Sequence, residues 1–85
     1  MQVTIDQLRE IIVKAEITSR DPNEFDPAVP LRQQGIDSLD MATFVFFTEV
    51  EFDISIPHKE YPRLATLNEI AAALSEHGEA WSSRK

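Results

Sequence analysis

Eighty-five residues with 42% hydrophobic and 27% charged side chains amount to one small globular domain built on one modest core; a second domain or a disordered chain does not fit that balance. The 15 acidic residues against 8 Lys and Arg, a formal charge of -7 at pH 7, repel polyanions, so nucleic acid is excluded as a partner class and basic protein surfaces are favoured. Cysteine is absent, which removes disulfides, thiolate metal sites and cysteine nucleophiles, and any thiol chemistry must be borrowed.

At the amino terminus "MQVTIDQLRE" has no basic stretch followed by an apolar one, and no apolar run approaches a membrane span, so a cytoplasmic monomer is the expectation. Within it Thr4 and Gln7 have the spacing of a capping box, with Val3 placed to staple onto Leu8. The spacing of Ile5, Leu8, Ile12 and Ala15, widened by Ile11, predicts a helix over 5–17 with one buried stripe. Residues 18–36 lose this period, and Pro22, Pro27 and Pro30 each disfavour helix in the residue before them. A long loop is expected there, folded back over the core by Phe25, Val29 and Leu31.

Asp37 is placed to cap a second helix over 38–52, which is apolar around much of its circumference through Met41, Phe44, Val45, Phe47, Thr48 and Phe52. A short helix over 58–61, ended by Pro62, and a last helix over 67–77 follow. The last one opens on a capping box of Thr66 and Glu69, buries Leu67, Ile70, Ala71 and Leu74, and meets Gly78 as a left-handed stop. Residues 78–85 are expected to fray, with Trp81 docked on the first helix or exposed. The sum is an all-α bundle of three main helices plus a short helix, with a long loop between helices one and two.

The stretch "GIDSLDM" places Ser38 at the start of the second helix. A serine there is most often a cap, but Asp37 already serves, which leaves the Ser38 hydroxyl free to face solvent. The first turn of a helix presents unpaired N–H groups and the positive end of the helix dipole, a favourable field for a phosphate ester. Direct catalysis fits poorly, because the two histidines, His58 and His77, make no nucleophile-elbow pattern with Ser38. Two histidines without cysteine are also a poor zinc site, and "DPNEFD" lacks the spacing of a calcium loop. No metal site and no enzyme are expected.

From "LRQQGIDSLDMATFVFFTEVEFDISIP" the chain resembles the acyl carrier protein family: a G-x-D-S-L attachment motif, an apolar and acidic second helix, and "EFDISIP" closing it. The resemblance implies that Ser38 receives 4'-phosphopantetheine from coenzyme A through a magnesium-dependent phosphopantetheinyl transferase. The arm's thiol then carries an acyl group as a thioester between an acyl- or aminoacyl-loading ligase and a downstream acyltransferase or synthase. Asp37, at the motif's aspartate, would help the transferase engage, and Leu39, at the motif's leucine, would anchor the helix start.

Departures from the family pattern narrow this reading. Asp40, Glu49 and Glu51 keep the acidic character that basic partners read, while Thr43 and Val50 stand where acids are common. Ala42, Phe46 and Val50 share one helical line that by the family's geometry faces outwards and suits a partner. His58 and Lys59 replace the usual acids of the short helix, which points to a specialised carrier of an aminoacyl, aryl or unusual fatty acyl group. Phe44, Phe46 and Phe47 are bulky enough to fill the cavity that such carriers open for long chains. The competing reading is an unmodified helical module that keeps a carrier-like fold and binds a protein through the Phe46 line.

Overall fold

The computed structural model describes residues 1–82. Helix α1 (Ile5–Ala15) begins on a formed capping box: the Thr4 hydroxyl accepts the Gln7 N–H at 3.2 Å and the Gln7 side chain accepts the Thr4 N–H at 2.8 Å. Val3, ahead of the cap, is buried with Leu8, Ile11 and Ile12 in the core, while Ile5 and Ala15 lie half-buried at its edge. The helix ends short of the expected Ile17. Glu16 turns left-handed at φ 52° and its N–H bonds the Val13 carbonyl, which closes the last turn with a residue other than glycine.

The long loop is more ordered than its composition suggests, since it contains two short 3-10 helices, Pro22–Glu24 and Leu31–Gln34. Phe25 and Leu31 are buried and Val29 half-buried. Polar ties fix the path between these anchors. The Arg9 guanidinium donates to the Pro22 and Phe25 carbonyls at 3.2 and 3.1 Å, and the Gln34 side chain accepts the Asp26 N–H at 2.8 Å while donating to the Asp26 and Val29 carbonyls. Leu31 N–H reaches the Ala65 carbonyl and Asn68 N–H the Pro27 carbonyl, so the loop is hydrogen-bonded to the start of the last helix.

Helix α2 (Ser38–Phe52) packs on α1 and buries Phe44, Val45 and Thr48, with Met41, Phe47 and Phe52 half-buried beside them. Thr48 is tolerated in that core because its hydroxyl donates to the Phe44 carbonyl one turn back at 2.8 Å. The helix stops at Asp53, left-handed at φ 54°, with the Ile54 N–H returning to the Glu49 carbonyl. A 3-10 helix, His58–Arg63, follows and runs through Pro62 rather than stopping before it. Of two successive turns, Glu60 N–H to the Pro57 carbonyl and Leu64 N–H to the Tyr61 carbonyl, the second holds the proline at its second position, where no N–H is needed.

Helix α3 (Leu67–His77) opens on the Thr66–Glu69 capping box, with both bonds formed, and buries Leu67, Ile70 and Leu74 against α1. Gly78 is not the left-handed stop its residue type suggests. It keeps right-handed helical angles, φ −54° and ψ −38°, and is buried. A Cβ there would collide with the Leu74 carbonyl oxygen and the Met1 sulfur, so glycine is required by close approach rather than by φ. Gly78→Ala is expected to cost about 1–3 kcal/mol in urea unfolding, the usual range for overpacking; an unchanged midpoint would show that Met1 simply yields.

Past Gly78 the chain is docked rather than frayed. Trp81 is half-buried, its ring lies 5.3 Å from that of His77, and its carbonyl accepts the Ser55 N–H at 2.8 Å. Ile54 and Ser82 form a single antiparallel bridge. The tail thus seats on the segment after α2 and not on α1. The expectation of fraying over residues 83–85 lies outside the described residues. Among the described residues no buried side-chain nitrogen or oxygen lacks a partner, and no helix is long and apolar enough to cross a membrane.

Candidate prosthetic-group attachment site

The residues around Ser38 divide the local work clearly. Gly35 takes φ 97° at the end of the 3-10 helix Leu31–Gln34, a conformation that strains any side chain. That turn drives Ile36 into the core, where it is 1% exposed. The chain then swings outwards, and Asp37 caps α2 by accepting the Asp40 N–H at 2.8 Å. Ser38 is left exposed at the first helical position with no hydrogen-bond partner among the described residues.

Leu39 departs from its expected role. At 76% exposure it anchors nothing, because it falls on the helix face opposite the buried Phe44 and Val45. It instead begins an outward line continued by Phe46 and Val50, 60% and 64% exposed, with Ala42 also exposed. Neither Phe46 nor Val50 lies under the loop; the Phe46 and Phe47 rings meet T-shaped, with centroids 5.9 Å apart.

The two acids of this face are less available than their spacing implies. Asp40 is half-buried in the first turn, and Glu49 points one carboxylate oxygen at the Ile56 N–H, 2.7 Å away. Glu49 therefore braces the segment leaving α2. Glu51 pairs with Lys14 at 2.7 Å.

A cleft of about 360 Å³ opens beside Ser38. Met41 and Val45 of α2 line one wall, Tyr61 and Leu64 another, and Arg32 adds a cationic group. None of Phe44, Phe46 and Phe47 lines it. Phe44 is committed to the core and Phe46 to the outside, so the phenylalanines do not close this space. Sequence reasoning anticipated a cavity that the phenylalanines are bulky enough to fill, but did not place Arg32, Tyr61 or Leu64 at it. Its walls come from segments some twenty positions apart, and no local period records their meeting.

Tyr61 is a sensitive reporter of that wall. Burial first, and then the negative charge of Glu49, raise its hydroxyl above the ordinary 10.0. The fold thus favours the neutral phenol, a contribution fully present below the unfolded pKa and lost as pH rises through the folded one. The Lys14 ammonium is raised from 10.5 chiefly by its hydrogen bond to Glu51, so its contribution disappears on the same alkaline side. Because Tyr61 is the one tyrosine, alkaline ultraviolet titration should show a midpoint above 10.0 that Glu49→Gln moves part of the way back. A midpoint at the free-tyrosine value would place the ring in solvent.

His58 stacks on Tyr61 at 4.7 Å between centroids and does not line the Ser38 cleft. Among the described residues, no group of three His, Asp or Glu side chains could hold a metal ion. An exposed, unbonded hydroxyl beside a cleft with a cation and apolar walls fits a phosphorylated arm that continues as an aliphatic chain.

Over residues 6–74 the chain matches the family model described as phosphopantetheine attachment site, and it belongs to that family. Membership makes it a carrier of the phosphopantetheine-binding kind and not an enzyme; the family holds 4'-phosphopantetheine covalently on a serine. Among curated proteins it is similar to the acyl carrier protein of Bdellovibrio bacteriovorus, 39% identical over 46 residues, which cover 54% of this chain and 59% of that protein. The match therefore spans little more than half of that relative. No solved structure matches the chain.

Proposed function

We propose that Ser38 is the attachment residue and that the chain carries an acyl group as a thioester on the thiol of a 4'-phosphopantetheine arm donated by coenzyme A. The observation that carries this reading is the Ser38 hydroxyl, exposed and unbonded at the head of α2 because Asp37 provides the cap. The arm, when attached, supplies the thiol that a cysteine-free chain lacks.

The chain's own contribution is positional. Gly35 and Ile36 set the turn, Asp37 holds the helix start without using Ser38, and the rigid α2 presents the hydroxyl to a phosphopantetheinyl transferase. Asp37 keeps a carboxylate next to the reacting hydroxyl for that enzyme to engage. Leu39, Ala42, Phe46 and Val50 form a mostly apolar face for the loading ligase and the downstream acyltransferase or synthase, with Asp40 and Glu49 at its margins. Aromatic anchors such as Phe46 dominate contacts of this kind. A face with so few free acids supports a specialised cytoplasmic carrier, loaded with an aminoacyl, aryl or unusual fatty acyl group, over one that serves partners reading rows of glutamate.

Incubation with coenzyme A and a broad-specificity transferase, followed by intact mass and peptide mapping, tests the reading. One phosphopantetheine on the Ser38 peptide is expected, and in protein purified from its native host any further acyl mass would name the cargo class. A chain that stays unmodified would favour the second reading, an interaction module that binds protein through the Phe46 line; the exposure of Phe46 and Val50 is what keeps that reading in view.

A further inference from the structure

Most of the cationic side chains among the described residues are engaged. Arg9 pairs with Asp6 and two carbonyls, Lys14 with Glu51, Arg20 with Glu24 and the Phe25 ring, and Arg63 with Glu60. Arg32 is different. In a chain of net charge -7 its guanidinium has no hydrogen bond or ion pair among the described residues, yet it lines the cleft that Ser38 also lines. The Tyr61 hydroxyl at the same cleft is likewise unbonded, and the remaining walls include Met41, Val45 and Leu64.

We propose that this cleft seats the proximal part of the arm: Arg32 holds its phosphodiester, and Met41, Val45 and Leu64 pack its gem-dimethyl group. The inference rests on Ser38 being the attachment residue. Connectivity favours this occupant over the cargo. The phosphate and the branched carbon are the first groups beyond the Ser38 oxygen, so they reach the cleft without the arm folding back, whereas the thioester lies at the arm's far end. The chemical order also matches, an anion first and then a compact apolar group, set against a cation and then aliphatic side chains. A guanidinium suits a phosphodiester because its planar donors bond two oxygens at once. Seated in this way, the arm is held along the domain between partners instead of sweeping freely.

The test uses the full chain loaded in vitro with a 13C-labelled arm. In wild type, nuclear Overhauser contacts are expected from the gem-dimethyl protons to the Val45 and Leu64 methyls, along with a 31P resonance displaced from that of the same phosphodiester on a short peptide spanning Ser38. Arg32→Gln, at a residue that no described contact ties to the fold, should return the 31P resonance to the position of the peptide phosphodiester, and Arg32→Lys should restore part of the displacement. Raising the salt to about 1 M, where the screening length falls to about 3 Å, should mimic Arg32→Gln in wild type and change the variant little. Absent methyl contacts, or identical 31P resonances in wild type and Arg32→Gln, would overturn the proposal. Acetyl- and malonyl-loaded forms separate the two anions available: an Arg32 effect confined to the malonyl form assigns the cation to cargo carboxylate and sinks the phosphodiester assignment. Failure of wild type to take the arm at Ser38 overturns the attachment reading itself, an outcome distinct from a loaded arm that stays free.

Discussion

Ser38→Ala is expected to abolish loading completely while leaving the domain folded. The hydroxyl oxygen is the atom to which the arm bonds, so its removal leaves nothing to modify, and intact mass should read zero conversion under conditions that convert wild type fully. Stability should move little, by roughly 0.5 kcal/mol or less, because Ser38 makes no hydrogen bond and alanine is the better helix former. Asp37→Ala is the informative contrast. It removes the acceptor of the Asp40 N–H and should cost about 1 kcal/mol, the typical value of an N-cap, while the hydroxyl remains. Thermal melts by circular dichroism and mass conversion, measured on both variants, separate cap from attachment point. A large loss of helicity in Ser38→Ala would make the serine structural. Slow loading of Asp37→Ala at a temperature where it is fully folded would give Asp37 a part in engaging the transferase beyond its cap.

What could be read before folding, and what could not, follows from the range of each interaction. The two capping boxes and the Asp37 cap involve partners three residues apart, so Thr4, Gln7, Asp37, Thr66 and Glu69 announce the helix starts. Helix ends are less local. Gly78 resembles a left-handed stop until Met1 is found packed on it from the other end of the chain, and Trp81 is seated in part by the Ser55 N–H, from a segment distant in sequence. Pro62 ends an α-helix but not a 3-10 helix whose bonds skip it. At the site, motif spacing identified Ser38 and Asp37, whereas the exposure of Leu39 depends on the phase of α2 against α1. Glu49 showed the same limit: its charge was legible, and its bond to Ile56 was not. The cleft and Arg32 required the long loop, α2 and the His58–Arg63 segment to be assembled first.

Phe44 and Phe46 sit two positions apart on α2 and should behave oppositely. Phe44 is 1% exposed in the core, whereas Phe46 is 60% exposed and meets the Phe47 ring T-shaped. Truncating a buried phenylalanine costs about 3–5 kcal/mol through lost transfer energy and the cavity left behind. A domain of 85 residues, at roughly 0.05–0.15 kcal/mol per residue, has only about twice that to lose at mid-range, so Phe44→Ala should forfeit about half of the stability while the domain still folds. Phe46→Ala forfeits an exposed edge contact and should cost about 1 kcal/mol or less. Its effect belongs on the partner side: kcat/KM for acyl transfer to a cognate enzyme should fall about tenfold, equivalent to about 1.4 kcal/mol, with the loading of Ser38 nearly unchanged. Urea unfolding of both variants and transfer kinetics of Phe46→Ala make the comparison. Equal destabilisation by the two would put Phe46 in the core, and unchanged transfer would move the partner face off α2. The predicted split, stability at Phe44 and recognition at Phe46, is what a helix does when one side holds a core together and the other is left for a partner to cover.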